Sequence, residues 1–197
     1  MKHTGRTNPP GRRKIIGALT QLMQTKEFHS ITTAEIAATA GVTEGLIYKY
    51  FKDKKDLLYQ VLNDIFVRFH QTVLERCTGK SSAVEKLEII IGTSIEHYTA
   101  NRVFARILLL EVRNSEAYFS SDAYQMVKHY ARNILDIIRE GIQTGELNPD
   151  LNPKVLRKLI LGAIEHACLG EVIFSGKLDV HAITKDISYI IFNGAKL

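Results

Sequence analysis

Tryptophan is absent from the 197 residues, and cysteine occurs twice, at Cys77 and Cys168. The two cysteines stand far apart and form no CxxC pair. That argues against a disulfide scaffold or a cysteine zinc site, and it makes a reducing cytoplasm the expected compartment. No apolar run reaches the roughly 18 to 20 residues needed to span a bilayer, so no membrane partner is expected. The opening MKHTGRTNPPGRRK is basic, but no apolar segment follows it, and a secretory signal is not expected. The seven histidines (His3, His29, His70, His97, His129, His166, His181) give no HxxxH or HExxH spacing, so no metal site is expected. GxSxG, Walker and GxGxxG patterns are missing too. The chain therefore offers no nucleophile elbow and no nucleotide cradle. Catalytic residues, cofactors and enzymatic activity are not expected.

What is present is an ordinary globular composition, 45% hydrophobic and 24% charged. The net charge of +5 is unevenly placed. Residues 1–55 hold ten Lys or Arg and four Asp or Glu, a net +6, while the rest of the chain is near neutral at −1. One end of the protein suits a polyanion. A solvated basic tail is the other explanation, and composition does not separate the two.

Nearly every segment carries helical rather than strand periodicity. Pro9-Pro10 opens a first helix with the stripe Ile15, Leu19, Leu22, Met23. Thr32 followed by Glu35 is a capping box, and Gly41 stops the short helix that it starts. Thr43 caps a third short helix running to about Tyr50. Asp53 caps a long fourth helix over 54–77. Further helices are expected over 83–100, 102–113, from Asp122 to near Gly145, 153–175 and 179–194, with 114–121 a loop and Ser175-Gly176-Lys177 a break. The expected fold is all-α, with about nine helices. An N-terminal three-helix helix-turn-helix domain (8–68, motif 32–51) is joined by the long helix to a C-terminal helical domain (69–197).

Two short helices joined by a glycine turn form a helix-turn-helix. Ile36, Ala37 and Ala40 give the first an apolar face, small enough for close crossing. On the second, Leu46, Ile47, Tyr50 and Phe51 share one side. Glu44, Gly45, Tyr48, Lys49 and Lys52 share the other, which is free to enter a major groove. Lys49 and Lys52 suit phosphates, Tyr48 suits a phosphate or a thymine methyl, and Glu44 suits a cytosine amino group. Gly45 lets the backbone come close. Thr33 and Thr43 stand at helix N-termini, where backbone N–H groups favour an anion. Lys54 opposes the dipole of the fourth helix, which points to a phosphate partner instead. Arg12, Arg13 and Lys14 open helix one, and Lys2 and Arg6 lie on an arm suited to a groove. A helical hairpin with a solvated charged face is the competing explanation.

The run FHSITTAEIAATAGVTEGLIYKYFKDKKDLL, Phe28 to Leu58, resembles the N-terminal domain of TetR/AcrR-family transcriptional regulators. The shared features are the threonine pair, I-A, A-G-V, a glycine, a tyrosine, a phenylalanine and K-x-x-L-L. The resemblance implies a recognition helix at Thr43–Tyr50, with Tyr48, Tyr50 and Lys54 on phosphates. Tyr50 stands where the family often has histidine, and Leu46 where threonine or alanine is common. The resemblance also implies a C-terminal ligand pocket and a dimer made by the last two helices. The segment LLLEVRNSEAYF, Leu108 to Phe119, is similar to acyl-CoA-responsive regulators of fatty-acid degradation within that family.

In the C-terminal part, Phe66, Phe69, Phe104, Phe119, Tyr124 and Tyr130 are candidates to line an apolar pocket. The alternative is that they are core aromatics at helical spacing. Arg102, Arg106 and Arg113 would share one face of a continuous helix, beside Phe104, Ile107 and Leu108. Such a stripe suits an anionic head on an apolar tail, unless local acids such as Glu111 or Glu116 pair with the arginines. The expected ligand residues are Phe66, Phe69, Phe104, Arg106, Leu108, Arg113 and Tyr130. The last two helices are apolar on more than one face and so need partners on more than one face. Leu156, Ile160, Ile164, Ile183, Ile187 and Ile191 are the expected dimer residues, with Gly162 and Gly170 allowing close approach. The expected function is a ligand-responsive repressor. It is a homodimer released from a palindromic double-stranded operator by a small apolar ligand, with a long-chain acyl-CoA as the candidate. A multidrug-efflux repressor sensing amphipathic drugs is the alternative.

Overall fold

Prolines, caps and one left-handed glycine set the boundaries of the first helices in the computed structural model, which describes residues 9–174 and 176–194. Lys2, His3, Arg6 and Ser175 lie outside the described residues. Helix α1 spans Pro10–Leu22 and buries Ile15, Ala18 and Leu19. A 3₁₀ turn at Phe28–Ser30 leads to α2, Thr33–Ala40. The capping box is formed: Glu35 N–H donates to Thr32 Oγ1 and Thr32 N–H to Glu35 Oε2, each at 3.1 Å. Gly41 ends α2 at φ 63°, and Val42 N–H donates back to the Ala37 carbonyl at 3.0 Å. A β-carbon at that φ would be strained, so the turn needs glycine. Helix α3, Glu44–Tyr50, follows with Ile47 buried and Phe51 buried just beyond it. Helix α4 runs Lys54–Cys77. Asp53 accepts from the Asp56 N–H at 2.8 Å and so caps it.

The chain divides into two compact units between Leu62 and Asn63, inside α4 and earlier in that helix than residue 68. In the second unit α5, Ala83–Ala100, is buried along Leu87, Ile90, Ile91, Ser94, Ile95 and Tyr98. It packs against α8, α9 and α10. Glu146, from the connection after α8, holds its start. The carboxylate accepts from Ser82 Oγ at 2.5 Å, Ala83 N–H at 3.1 Å and Val84 N–H at 3.3 Å. These donors hold the Glu146 carboxyl well down, at about 2.

The expected helix 102–113 is not one helix. Helix α6 spans Arg102–Arg106, a π-helical turn takes Ile107–Glu111, and a 3₁₀ turn takes Val112–Asn114. Ile107, Leu108 and Leu109 are consecutive and all buried, more than one narrow α-helical stripe carries. The expected loop 114–121 holds a short helix, α7, Glu116–Phe119. That brings the described residues to ten α-helices rather than nine. Helices α8, Asp122–Gln143, α9, Pro153–Phe174, and α10, Val180–Asn193, complete the unit. Caps from Ser121 and Asp179 start α8 and α10.

Replacing Glu146 with glutamine should lower Tm at neutral pH by removing the charged acceptor from the start of α5. Its folded value lies below the ordinary 4.5, so the contribution is full above 4.5 and fades as the pH falls toward 2. Thermal melts of wild type and Glu146→Gln should therefore converge over that range. A constant gap would overturn this role.

Candidate functional site: a DNA face and an apolar cavity

In the first unit α3 turns Ile47 inward and leaves Glu44, Gly45, Tyr48 and Lys49 exposed, with Tyr48 at 55%. Three of the polar residues meet. Thr33 Oγ1 donates to Glu44 Oε2 at 2.9 Å, and the Tyr48 hydroxyl donates to Thr33 Oγ1 at 3.5 Å. This fixes the carboxylate at the first turn of α3, oriented as an acceptor. Thr43 takes the N-cap position of α3, but its hydroxyl makes no capping bond. Arg13, Lys14 and Lys52 are exposed alongside.

Three expected phosphate residues have other partners. Arg12 donates to Gln60 Oε1 at 3.0 Å, with its guanidinium 5.7 Å from the Phe51 ring centre. Tyr50 is half-buried and packs on the start of α1, where a β-carbon at Gly11 would lie 3.3 Å from Tyr50 Cε2. Lys54 is the most fully engaged of the three. Its ammonium donates to the carbonyls of Phe28 at 2.9 Å, His29 at 3.2 Å and Ile31 at 2.5 Å, and it lies 4.6 Å from the Phe28 ring centre. All three N–H donors are engaged on these carbonyls, so Lys54 staples the α1–α2 connection. Burial lowers its proton affinity, opposed by the charge of Glu35.

The second unit encloses a cavity of about 300 Å³. Phe66, Leu108, Tyr118, Tyr130 and Ile164 form buried walls, and Phe119, Tyr124, Val127 and Leu161 form more open ones. Ser94 Oγ donates to the Ile90 carbonyl at 2.6 Å and pairs with the Tyr130 hydroxyl at 2.6 Å. The serine has one proton, so Tyr130 is the donor of that pair. Burial pushes the acidity of Tyr130 and of Tyr98 far out of the physiological range. Arg113 and Glu165 are the charged members of the lining. They form a two-pronged pair, Nη1 to Oε2 at 3.0 Å and Nη2 to Oε1 at 2.6 Å.

Four expected ligand residues, Phe66, Leu108, Arg113 and Tyr130, line this cavity. Phe104 and Phe69 stand behind it, edge-on to Phe66 at 5.2 Å and to Tyr130 at 5.3 Å. Arg106 is 3.6 Å from Glu111. Arg102 donates to Glu171 and to the Gly176 carbonyl, both at 2.9 Å. The expected basic stripe is thus dissolved: the π turn breaks its register, and each arginine has its own acid. Ser94, Tyr98, Tyr118 and Glu165 were not anticipated. Ser94 and Tyr98 could have been noticed as polar residues four apart on the apolar face of the fifth helix.

Leu156, Ile160 and Ile164 are buried in their own unit, Ile160 completely, so they are not exposed to a second chain. They share the inward stripe of α9 with Cys168, whose thiol burial pushes up to about 11. Ile183, Ile187 and Ile191 are half-buried. The outward stripe of α9 is Val155, Leu159, Gly162, His166, Gly170 and Ile173, all exposed. A β-carbon at Gly162 or Gly170 would meet nothing within 4 Å. Tyr189 and Ile190 expose further apolar surface on α10.

Among the described residues no cluster of three or more His, Cys, Asp or Glu could hold a metal, and no helix is long and apolar enough to cross a membrane.

Residues 15–61 match the family of bacterial regulatory proteins, tetR family, and residues 62–194 match the YsiA-like protein, C-terminal region. The chain belongs to the TetR family. A fatty acid metabolism regulator protein of Bacillus subtilis is 30% identical over 92% of this chain and 93% of its own length. A crystal structure of the transcriptional regulator FadR from Bacillus subtilis in complex with stearoyl-CoA is 27% identical, with a TM-score of 0.84 over 93% of this chain and 99% of that one. FadR from Bacillus halodurans shares the fold at 24% identity, with a TM-score of 0.85 over 96% and 98% of the two chains. In this TetR-family chain the N-terminal match holds the α2–turn–α3 motif, and the C-terminal match holds the cavity.

Tyr48→Ala and Lys49→Ala should weaken operator binding with Tm unchanged. Lys54→Met should lower stability by about 1–2 kcal/mol, because charge-assisted bonds to carbonyls are lost. Anisotropy titrations and melts separate the two effects; a Lys54 variant with native Tm would overturn the staple. For the α9 surface, Leu159→Arg should shift sedimentation toward a monomer at micromolar concentration, whereas an unshifted dimer would exclude that stripe as the interface.

Proposed function

We propose that this protein is a homodimeric repressor that a long-chain acyl-CoA releases from a palindromic DNA operator. The cavity carries the reading. It is aromatic and apolar, about 300 Å³, with its charge confined to one ion pair. It lies in the unit that matches the YsiA-like region. The Bacillus subtilis FadR structure, 27% identical over nearly the whole chain, holds stearoyl-CoA, a ligand with a long apolar tail and an anionic head. A tail in such a cavity contributes about 0.8 kcal/mol per buried CH₂, so affinity climbs with chain length until the space is filled.

The exposed polar face of α3 supports base and phosphate contacts, with Glu44, Tyr48 and Lys49 the central residues and Gly45, Thr33, Thr43 and Arg13 beside them. The exposed stripe of α9 supports a two-fold dimer, which a palindromic operator requires. The protein acts by binding rather than catalysis, in the cytoplasm where its operator is. The limits of 8–68 for DNA binding and 69–197 for ligand binding meet inside α4, and Phe66 in the cavity lining moves that limit earlier in the helix. The drug-sensor alternative is disfavoured by Glu165, the acid a cationic drug would seek, because Arg113 already neutralises it.

Release of a fluorescent operator should be produced by acyl-CoAs and should strengthen with chain length, while free CoA has no effect. Anisotropy of the labelled DNA is the readout, since the chain has no tryptophan. Release by free CoA, or by a cationic dye and no acyl-CoA, would falsify the lipid reading.

A further inference from the structure

Arg113 and Glu165 are the charged residues among the fourteen that line the cavity. Their two parallel hydrogen bonds match the flat guanidinium fork to a carboxylate. The hydrogen bond that Arg113 donates to Glu165 is the leading cause that raises the proton affinity of Arg113. The pair sits on the wetter side of the cavity. Its side chains are 45% and 32% exposed, whereas Phe66, Leu108, Tyr118 and Ile164 are buried. A tail inserted among the buried walls leaves the first polar atoms of its ligand at this pair.

Two ligand classes with the same tail differ at that point. A thioester is neutral there, and a free long-chain acid carries −1. A free carboxylate needs Arg113, but Glu165 already occupies the seat. Adding it beside Glu165 puts two carboxylates on one half-buried cation, which disfavours the charged form of one of them. A thioester carbonyl adds no charge and can accept from guanidinium N–H groups that Glu165 leaves unused. We propose that Glu165 is a specificity-determining residue that fills the carboxylate seat on Arg113, excluding free long-chain carboxylates and admitting their neutral thioesters. This rests on the acyl-CoA reading above. It is discrimination by a built-in repulsion rather than by an added attraction.

The test is calorimetric titration of the full-length protein with lauroyl-CoA and with laurate, each below its micelle concentration. Wild type should prefer the thioester. In Glu165→Gln the preference should shrink by about tenfold or more, through a gain in laurate affinity, because Arg113 is left without its acid. Glu165→Ser should act in the same direction. The double variant Glu165→Gln/Arg113→Gln should lose the gain. Thermal melts and operator retention without ligand check that each variant is folded. No binding of lauroyl-CoA to wild type sinks the acyl-CoA reading and this inference with it. Lauroyl-CoA binding with a preference unchanged in both Glu165 variants sinks the inference alone, as does wild type binding laurate as well as the thioester.

Discussion

The second unit depends on a conflict within α9, which has two apolar stripes and only one chain to bury them. Leu156, Ile160, Ile164 and Cys168 recur every four residues and are buried in the unit. Val155, Leu159 and Ile173 recur on another side and remain in water, Leu159 at 59% exposure. Removing each such side chain from water is favourable by about 1.5–3 kcal/mol. The inward stripe fixes where α9 lies against α5 and α8, and the outward stripe then has to find its partner elsewhere. Gly162 and Gly170 fall on that outward stripe, and a β-carbon at either would meet nothing within 4 Å.

The position of α9 also organises the irregular stretch between α5 and α8. Residues 102–114 pass from α-helix to π turn to 3₁₀ turn. Two acids on α9 hold the ends of that stretch: Glu171 takes Arg102, and Glu165 takes Arg113. These pairs differ in kind. Glu171 is buried, and removing Arg102 would strand a charge. Glu165 and Arg113 are both substantially wet, and such pairs contribute at most about 1 kcal/mol. The Arg113 pair therefore does little for stability.

Features set by neighbours in sequence were legible from the sequence. The Thr32–Glu35 capping box, the left-handed Gly41 and the cap at Asp53 each involve residues within a few positions, so their pattern is their mechanism. The helix-turn-helix and its exposed face followed from those local signals. Partners distant along the chain were not legible. Lys54 reads as a misplaced cation at a helix start. Its reason is a row of carbonyls at Phe28, His29 and Ile31, more than twenty residues away. The arginines of 102–113 read as a stripe only while the helix is assumed regular. The π turn and the acids on α9 could not be foreseen from spacing. Periodicity shows that α9 has two apolar stripes but not which one faces inward, and Ile164 lies on the inward one.

Ligand binding and DNA binding in a TetR-family protein are linked by one coupling free energy. If a filled cavity lowers operator affinity by some factor, bound operator lowers ligand affinity by the same factor. A tight grip on the ligand does not by itself release DNA. Only the difference in affinity between the DNA-bound and free states counts. Packing apolar walls such as Phe66 and Tyr118 around a tail can supply affinity in both states alike. The Arg113–Glu165 pair is the wet, charged part of the cavity wall, and such a pair contributes at most about 1 kcal/mol. Affinity for a ligand and release of DNA by that ligand are therefore separate properties, and only interactions that differ between the two states carry the second.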